Sequence, residues 1–158
     1  MSHVAELIAA VEGSSFASFV SLTPFAYAVL SAAHIIGIAL LVGSIVPVDL
    51  RLLGVLGPHF DAALASLVRI AVLGFAIAAS TGAALASVRL GEYASNPAFL
   101  GKMALLAAAG LNAAVLRIAH GSLEELRTRS RAGARRSGTL SLLFWTAAIF
   151  AGRLIAFT

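Results

Sequence analysis

The chain has 158 residues, of which 60% are hydrophobic and only 11% charged, a balance that excludes an ordinary soluble domain and assigns most of the chain to lipid. It contains no cysteine, which excludes disulfides, thiolate metal sites and iron–sulfur clusters, so that any redox role needs a bound cofactor. The net charge of +4 does not point to nucleic acid, because the positive residues concentrate in one place. Arg127, Arg129, Arg131, Arg135 and Arg136 lie between two apolar segments, as positive-inside topology requires.

Residues 1–23 contain Glu6 and Glu12 but no Lys or Arg, so they lack the basic start of a secretory signal peptide and are expected to be retained. The apolar residues of VAELIAAVEGSSF recur at roughly helical spacing, which predicts a short helix lying at the membrane interface. From Pro24 to Val48 the chain has no charge and one ionisable group, His34. At about 1.5 Å per residue such a helix crosses the roughly 30 Å hydrocarbon core. A first span is expected over 24–53, with Pro47 favouring a bend near its end, and Gly57-Pro58 breaks it. His59 and Asp61 are expected in the loop that follows.

A second span is expected over 64–88, where Ile70 to Val88 carries no charge. Its Gly74, Ala78, Gly82 and Ala86 recur every four residues, a small-residue stripe that lets another helix approach closely. Asn96-Pro97 is a good helix start, with the side chain capping and proline at the first helical position, and opens a third span over 97–120. A fourth is expected over 139–157, with Arg153 its single charge. The expected fold is therefore all-α: one domain over 1–158, an integral membrane four-helix bundle with a short N-terminal interfacial helix.

Four spans put Arg51, Arg69, Arg117 and the arginine-rich loop on one side, and Arg89, Lys102 and Arg153 on the other. The positive-inside rule then leaves both termini outside and the arginine loop cytoplasmic. On that topology His34 lies ~15 Å below the outer end of its helix, and Lys102 and Arg153 each lie roughly 8 Å below theirs. An imidazole in hydrocarbon must find a partner or a metal. It either bonds a neighbouring helix or serves as an axial haem ligand. A haem held by His34 would find charge partners for its propionates in Lys102 and Arg153, although either cation alone could simply snorkel to the interface. Met103, ~9 Å deep, is a candidate sixth ligand. His120, ~34 Å from the outer end, is too far to share an iron with His34, and His59 and His120 are read as surface histidines on the basic side.

The segments HIIGIALLVGSIVPVDLRLLG, NPAFLGKMALLAAAGLNA and SLLFWTAAIFAGRLIAF resemble the recurring pattern of small four-helix bacterial membrane proteins of unknown function. More distantly, the histidine-glycine pattern of the first span and the lysine-led third span are similar to the copper-resistance-D-type membrane domain and to the four-helix, haem-binding bacterial protoporphyrinogen oxidase. The likeness implies a helical bundle in the inner membrane with a functional histidine and lysine, carried here by His34 and Lys102. The oxidase's arginine and glutamate motifs are not evident, and two methionines without cysteine offer little to Cu(I). The expectation is a b-type haem protein that transfers electrons or oxidises a small membrane-soluble donor. The alternative is a non-enzymatic accessory subunit of a larger membrane complex. Partners on either reading are the bilayer and further copies or subunits, not nucleic acid.

Overall fold

The computed structural model describes residues 3–120 and 131–157, so the expectations for Arg127 and Arg129, and for the side chain of His120, lie outside the described residues. The N-terminal segment forms two helices rather than one, α1 (His3–Glu12) and α2 (Ser15–Leu22), bent by 50° from each other. Ser14 separates them because its hydroxyl accepts the Ala17 N–H at 3.2 Å and starts a new helix there. The pair packs against the chain that joins the second and third long helices. Its firmest tie is Glu12, whose carboxylate accepts the Gly91 N–H at 2.8 Å.

The first long helix, α3 (Pro24–Leu53), begins on a proline, runs through Pro47 and stops at Gly54, whose φ of 84° is the left-handed cap that glycine accommodates without strain. A 3-10 turn, Pro58–Phe60, leads into α4 (Asp61–Ala86), and a second turn, Ser87–Arg89, leads into the short α5 (Leu90–Ser95). Asn96 then caps α6 (Pro97–His120) by accepting the N–H groups of Ala98 and Phe99 at 2.9 and 3.1 Å. The last long helix, α7 (Arg131–Leu154), starts well before Thr139 and ends in a 3-10 turn, Ile155–Phe157.

Among the described residues three stretches are long and apolar enough to cross a membrane: Pro24–Leu53, Pro58–Ser95 and Pro97–Ile118. The expected fourth crossing, on α7, is not one of them. That helix is long, but Ser137, Thr139, Ser141, Thr146 and Arg153 dilute its apolar content.

The long helices run antiparallel to their neighbours and pack in the order α4, α3, α7, α6. Glycines set the spacing of the first pair. A Cβ on Gly37 would stand 2.6 Å from the Ala78 nitrogen, and one on Gly74 would stand 2.5 Å from the Leu41 nitrogen, so α3 and α4 meet backbone to backbone. The stripe read from the sequence thus finds its partner in α3. At the α3–α7 crossing a Cβ on Gly138 would stand 3.0 Å from the Asp49 carbonyl oxygen. Helices α6 and α7 are joined by a reciprocal pair, Asn112 Nδ2 donating to the Ser137 carbonyl at 3.1 Å and the Ser137 hydroxyl to Asn112 Oδ1 at 3.3 Å.

The core lies toward the arginine-rich end, where Val48, Leu52, Leu64 and Ala134 are buried together. Asp61 is no loop residue: it opens α4 and receives two hydrogen bonds from the buried Arg51, Nε to Oδ1 at 2.7 Å and Nη2 to Oδ2 at 3.1 Å. Arg51 also donates to the Leu56 carbonyl at 3.1 Å, so one guanidinium organises the whole α3–α4 turn. Asp61→Ala should cost about 2 kcal/mol, because it strips a buried cation of its carboxylate. Chemical unfolding in detergent would measure the loss.

Candidate functional site

His34 sits on α3 facing α4, two turns inside the helix from Tyr27. Its Nδ1 lies 2.8 Å from the Ala78 carbonyl oxygen and 3.2 Å from Thr81 Oγ1. The Thr81 hydroxyl lies 2.6 Å from the Ile77 carbonyl, to which it donates. A carbonyl can only accept, so the proton is on Nδ1 and Nε2 carries the lone pair. Among the described residues Nε2 has no hydrogen-bond partner.

The ring fits there because position 82 is glycine. A Cβ on Gly82 would stand 2.9 Å from His34 Cε1 and 3.3 Å from Nδ1. Three successive small or hydroxylated positions on α4, Ala78, Thr81 and Gly82, therefore make the seat of the imidazole. The same close crossing that packs α3 on α4 presents the Ala78 carbonyl to it.

Lys102 is half-buried on α6. Its side chain lies across Gly152 of α7, where a Cβ would stand 3.3 Å from Nζ and 3.5 Å from Cε. Glycine again makes room for a functional candidate. Arg153 is adjacent in sequence but exposed, with its guanidinium 5.3 Å from the centre of the Phe157 ring. Met103 is 38% exposed. The structure thus seats His34 against α4 and Lys102 against Gly152 of α7, places Arg153 one residue beyond that glycine, and leaves Met103 on the surface.

Among the described residues no group of three or more His, Cys, Asp or Glu side chains comes together. A metal held wholly by side chains of those types therefore has no centre there. Haem asks less of the protein, since the macrocycle supplies the equatorial nitrogens and the chain only axial ligands. Its requirements are an imidazole with a free nitrogen, oriented through its other nitrogen, and cationic or polar partners for propionates. His34 has a free nitrogen and a ring oriented through Nδ1, and Lys102 is a half-buried cation.

Three features escaped the sequence reading. A cavity of about 410 Å³ is lined by Ser21, Tyr27, Leu85, Val88, Arg89 and Tyr93. Tyr27 and Leu85 lie on the same α3–α4 seam as His34 and Gly82, so the cavity opens toward the end of that seam. The spacing of Tyr27 and His34, one helical face over two turns, was the available signal. Asp49, only 2% exposed, lies at the α3–α7 crossing with the Ser141 hydroxyl as its side-chain partner, and its Oδ2 has no hydrogen-bond partner among the described residues. It could have been found by counting, since a helix that continues to Leu53 carries Asp49 inside it. The third is a cavity at the opposite end of the row, lined by Arg51, Leu52, Gly54, Pro58, Arg131, Ala134 and Arg135.

No protein-family model, curated protein or solved structure matches this chain.

Proposed function

We propose that the protein is an integral membrane b-type haem protein of the bacterial inner membrane, in which His34 Nε2 is the axial ligand and Lys102 serves the propionates. The observation that carries this reading is the bond from His34 Nδ1–H to the Ala78 carbonyl, which leaves the other ring nitrogen unprotonated and fixes the ring plane. Bound haem would supply one-electron chemistry, giving electron transfer or oxidation of a small membrane-soluble donor. The chain's own contribution is orientation. Ala78 and Thr81 hold the imidazole, Gly82 leaves it space, and the Lys102 ammonium would supply positive charge for the propionates.

Large apolar side chains stand exposed along the long helices, among them Ile35 and Ile36 on α3, Val72 on α4 and Ile118 on α6, which supports a hydrocarbon surround. With α7 taken as a fourth crossing along α3 and α6, the concentration of arginine at one end supports both termini outside. Arg153, turned onto Phe157, and the exposed Met103 are the weaker members of the site, and the iron is read as having His34 as its one protein ligand.

The test is the absorption spectrum of detergent-purified protein from haem-sufficient cells. A Soret band is expected in the native protein and its loss in His34→Gly, with helical content unchanged by circular dichroism. A second reading is favoured by α6, where Ala107, Gly110 and Ala114 are exposed on one helical face and a Cβ on Gly110 would meet no atom within 4 Å. Such an uncovered small-residue face suits an accessory subunit packed in a larger complex. That reading predicts a colourless protein that copurifies with its complex.

A further inference from the structure

We propose that the cavity between the end of α3 and the start of α7 is a binding site for a phosphate-bearing anion. The cavity has a volume of about 530 Å³, and its lining divides into two kinds of surface: Arg51, Arg131 and Arg135 on one hand, Leu52, Gly54, Pro58 and Ala134 on the other. This inference does not depend on the haem reading, since His34 lies nearly five turns of α3 away from Arg51, at about 3.6 residues per turn.

The charges do not cancel. Arg51 is neutralised in place by Asp61, which accepts from both Nε and Nη2, and its third nitrogen is directed to the Leu56 carbonyl. That bonding holds it as a fixed wall. The guanidinium groups of Arg131 and Arg135 have no ion pair or hydrogen-bond partner among the described residues. They stand one turn apart on α7, an i,i+4 pair of like charge that disfavours the helix, yet both line the same cavity. Arg135 reaches over Gly54, where a Cβ would stand 3.9 Å from Nη2. Among the described residues the other ionisable groups at this end do not neutralise them. Asp49 is buried at the α3–α7 crossing, Arg136 is exposed and positive, and His59 packs at a tilt against Phe60.

Two unpaired guanidinium forks facing one cavity match the oxygens of a phosphate group, which accepts from planar donors in pairs. An anion seated between them would also relieve their mutual repulsion. The apolar half of the lining adds a preference. Leu52, Pro58 and Ala134 give nothing to a bare phosphate but suit the glycerol and first acyl carbons of a phospholipid. The phosphate is either esterified to lipid or free in solution, and the experiment separates the two.

The full-length protein, purified in detergent, would be titrated with short-chain phosphatidylglycerol, short-chain phosphatidylcholine and inorganic phosphate, with bound ligand counted by native mass spectrometry. Retention of phosphatidylglycerol, at least ~10-fold better in the native protein than in Arg131→Gln/Arg135→Gln, assigns the site to an anionic lipid. Retention of inorganic phosphate with the same loss assigns it to a soluble phosphate. Arg136→Gln removes equal charge outside the cavity and should change binding less than about twofold. Equal weakening by Arg136→Gln, equal retention of phosphatidylcholine and phosphatidylglycerol without retention of phosphate, or no binding of any probe overturns the proposal. Should the double variant lose helicity, Arg131→Lys/Arg135→Lys keeps the charge and removes the planar fork. It should still bind several-fold more weakly than the native protein, and unchanged binding counts against the site.

Discussion

Gly74→Ala should be among the most damaging single-methyl changes available in this protein, lowering stability by about 3 kcal/mol or more. The new Cβ would stand 2.5 Å from the Leu41 nitrogen and 2.8 Å from the Gly37 carbonyl oxygen. Both are backbone atoms on a helix that cannot flex a side chain out of the way. Relief requires α3 and α4 to separate, and the loss spreads because dispersion contacts along the whole crossing weaken together. The controls lie in the same chain. Gly43 on α3 and Gly110 on α6 have no atom within 4 Å of a built Cβ, so Gly43→Ala and Gly110→Ala should be neutral or slightly stabilising through helix propensity. Denaturation in mixed detergent micelles, followed by circular dichroism, would rank the three. The consequence for function follows from the same geometry, since Ala78 lies one turn along from Gly74 and carries the carbonyl that orients His34.

Gly82→Ala should have the opposite profile: little effect on folding and a large effect on the site. Its methyl would stand 2.9 Å from His34 Cε1, and here the obstructed atom is the end of a side chain that can rotate. The helices stay packed while the ring leaves its seat and its 2.8 Å bond to Ala78. If His34 binds haem, affinity should fall by about tenfold or more, as it does when an outer-shell partner of a ligating histidine is removed. Stability should change by no more than about 1 kcal/mol. Haem titration of the apoprotein alongside thermal unfolding separates the two quantities. A variant that unfolds with the severity of Gly74→Ala would mean that Gly82 serves packing instead.

The helical architecture was legible because its signals are long and redundant. Twenty-five uncharged residues from Pro24, Asn96-Pro97 at a helix start and a small-residue stripe each predict the element that the structure contains. The stripe even named its contacts, since Gly74, Ala78 and Gly82 all face α3. What the sequence concealed was order and continuity. Nothing in Thr139 to Phe157 announces that its helix begins back at Arg131, because the polar, arginine-rich stretch before it reads equally as an extension of the third span or as a loop. The pairing of Arg51 with Asp61 was equally hidden, since a break at Gly57-Pro58 reads as solvated and the buried fork crosses it.

The site was legible only as residue types. His34 and Lys102 stood out as ionisable groups in apolar helices. Arg153 was placed by depth alone, and depth along a helix says nothing of azimuth, which here turns it onto Phe157. Met103 was placed by depth in the same way, and the 100° step from Lys102 leaves it 38% exposed. Asp49 was passed over because the polar residues around it suggested a helix end, whereas the helix carries it under α7.

The most direct measurement is ligand replacement at position 34. His34→Gly removes the imidazole and leaves the helix and the Gly82 seat in place, so the purified variant should lack a Soret band. Exogenous imidazole, added with haem, should restore the band by occupying the vacated seat. A native protein without haem absorbance, or a His34→Gly variant that keeps its band without imidazole, would contradict the assignment of His34 as the axial ligand.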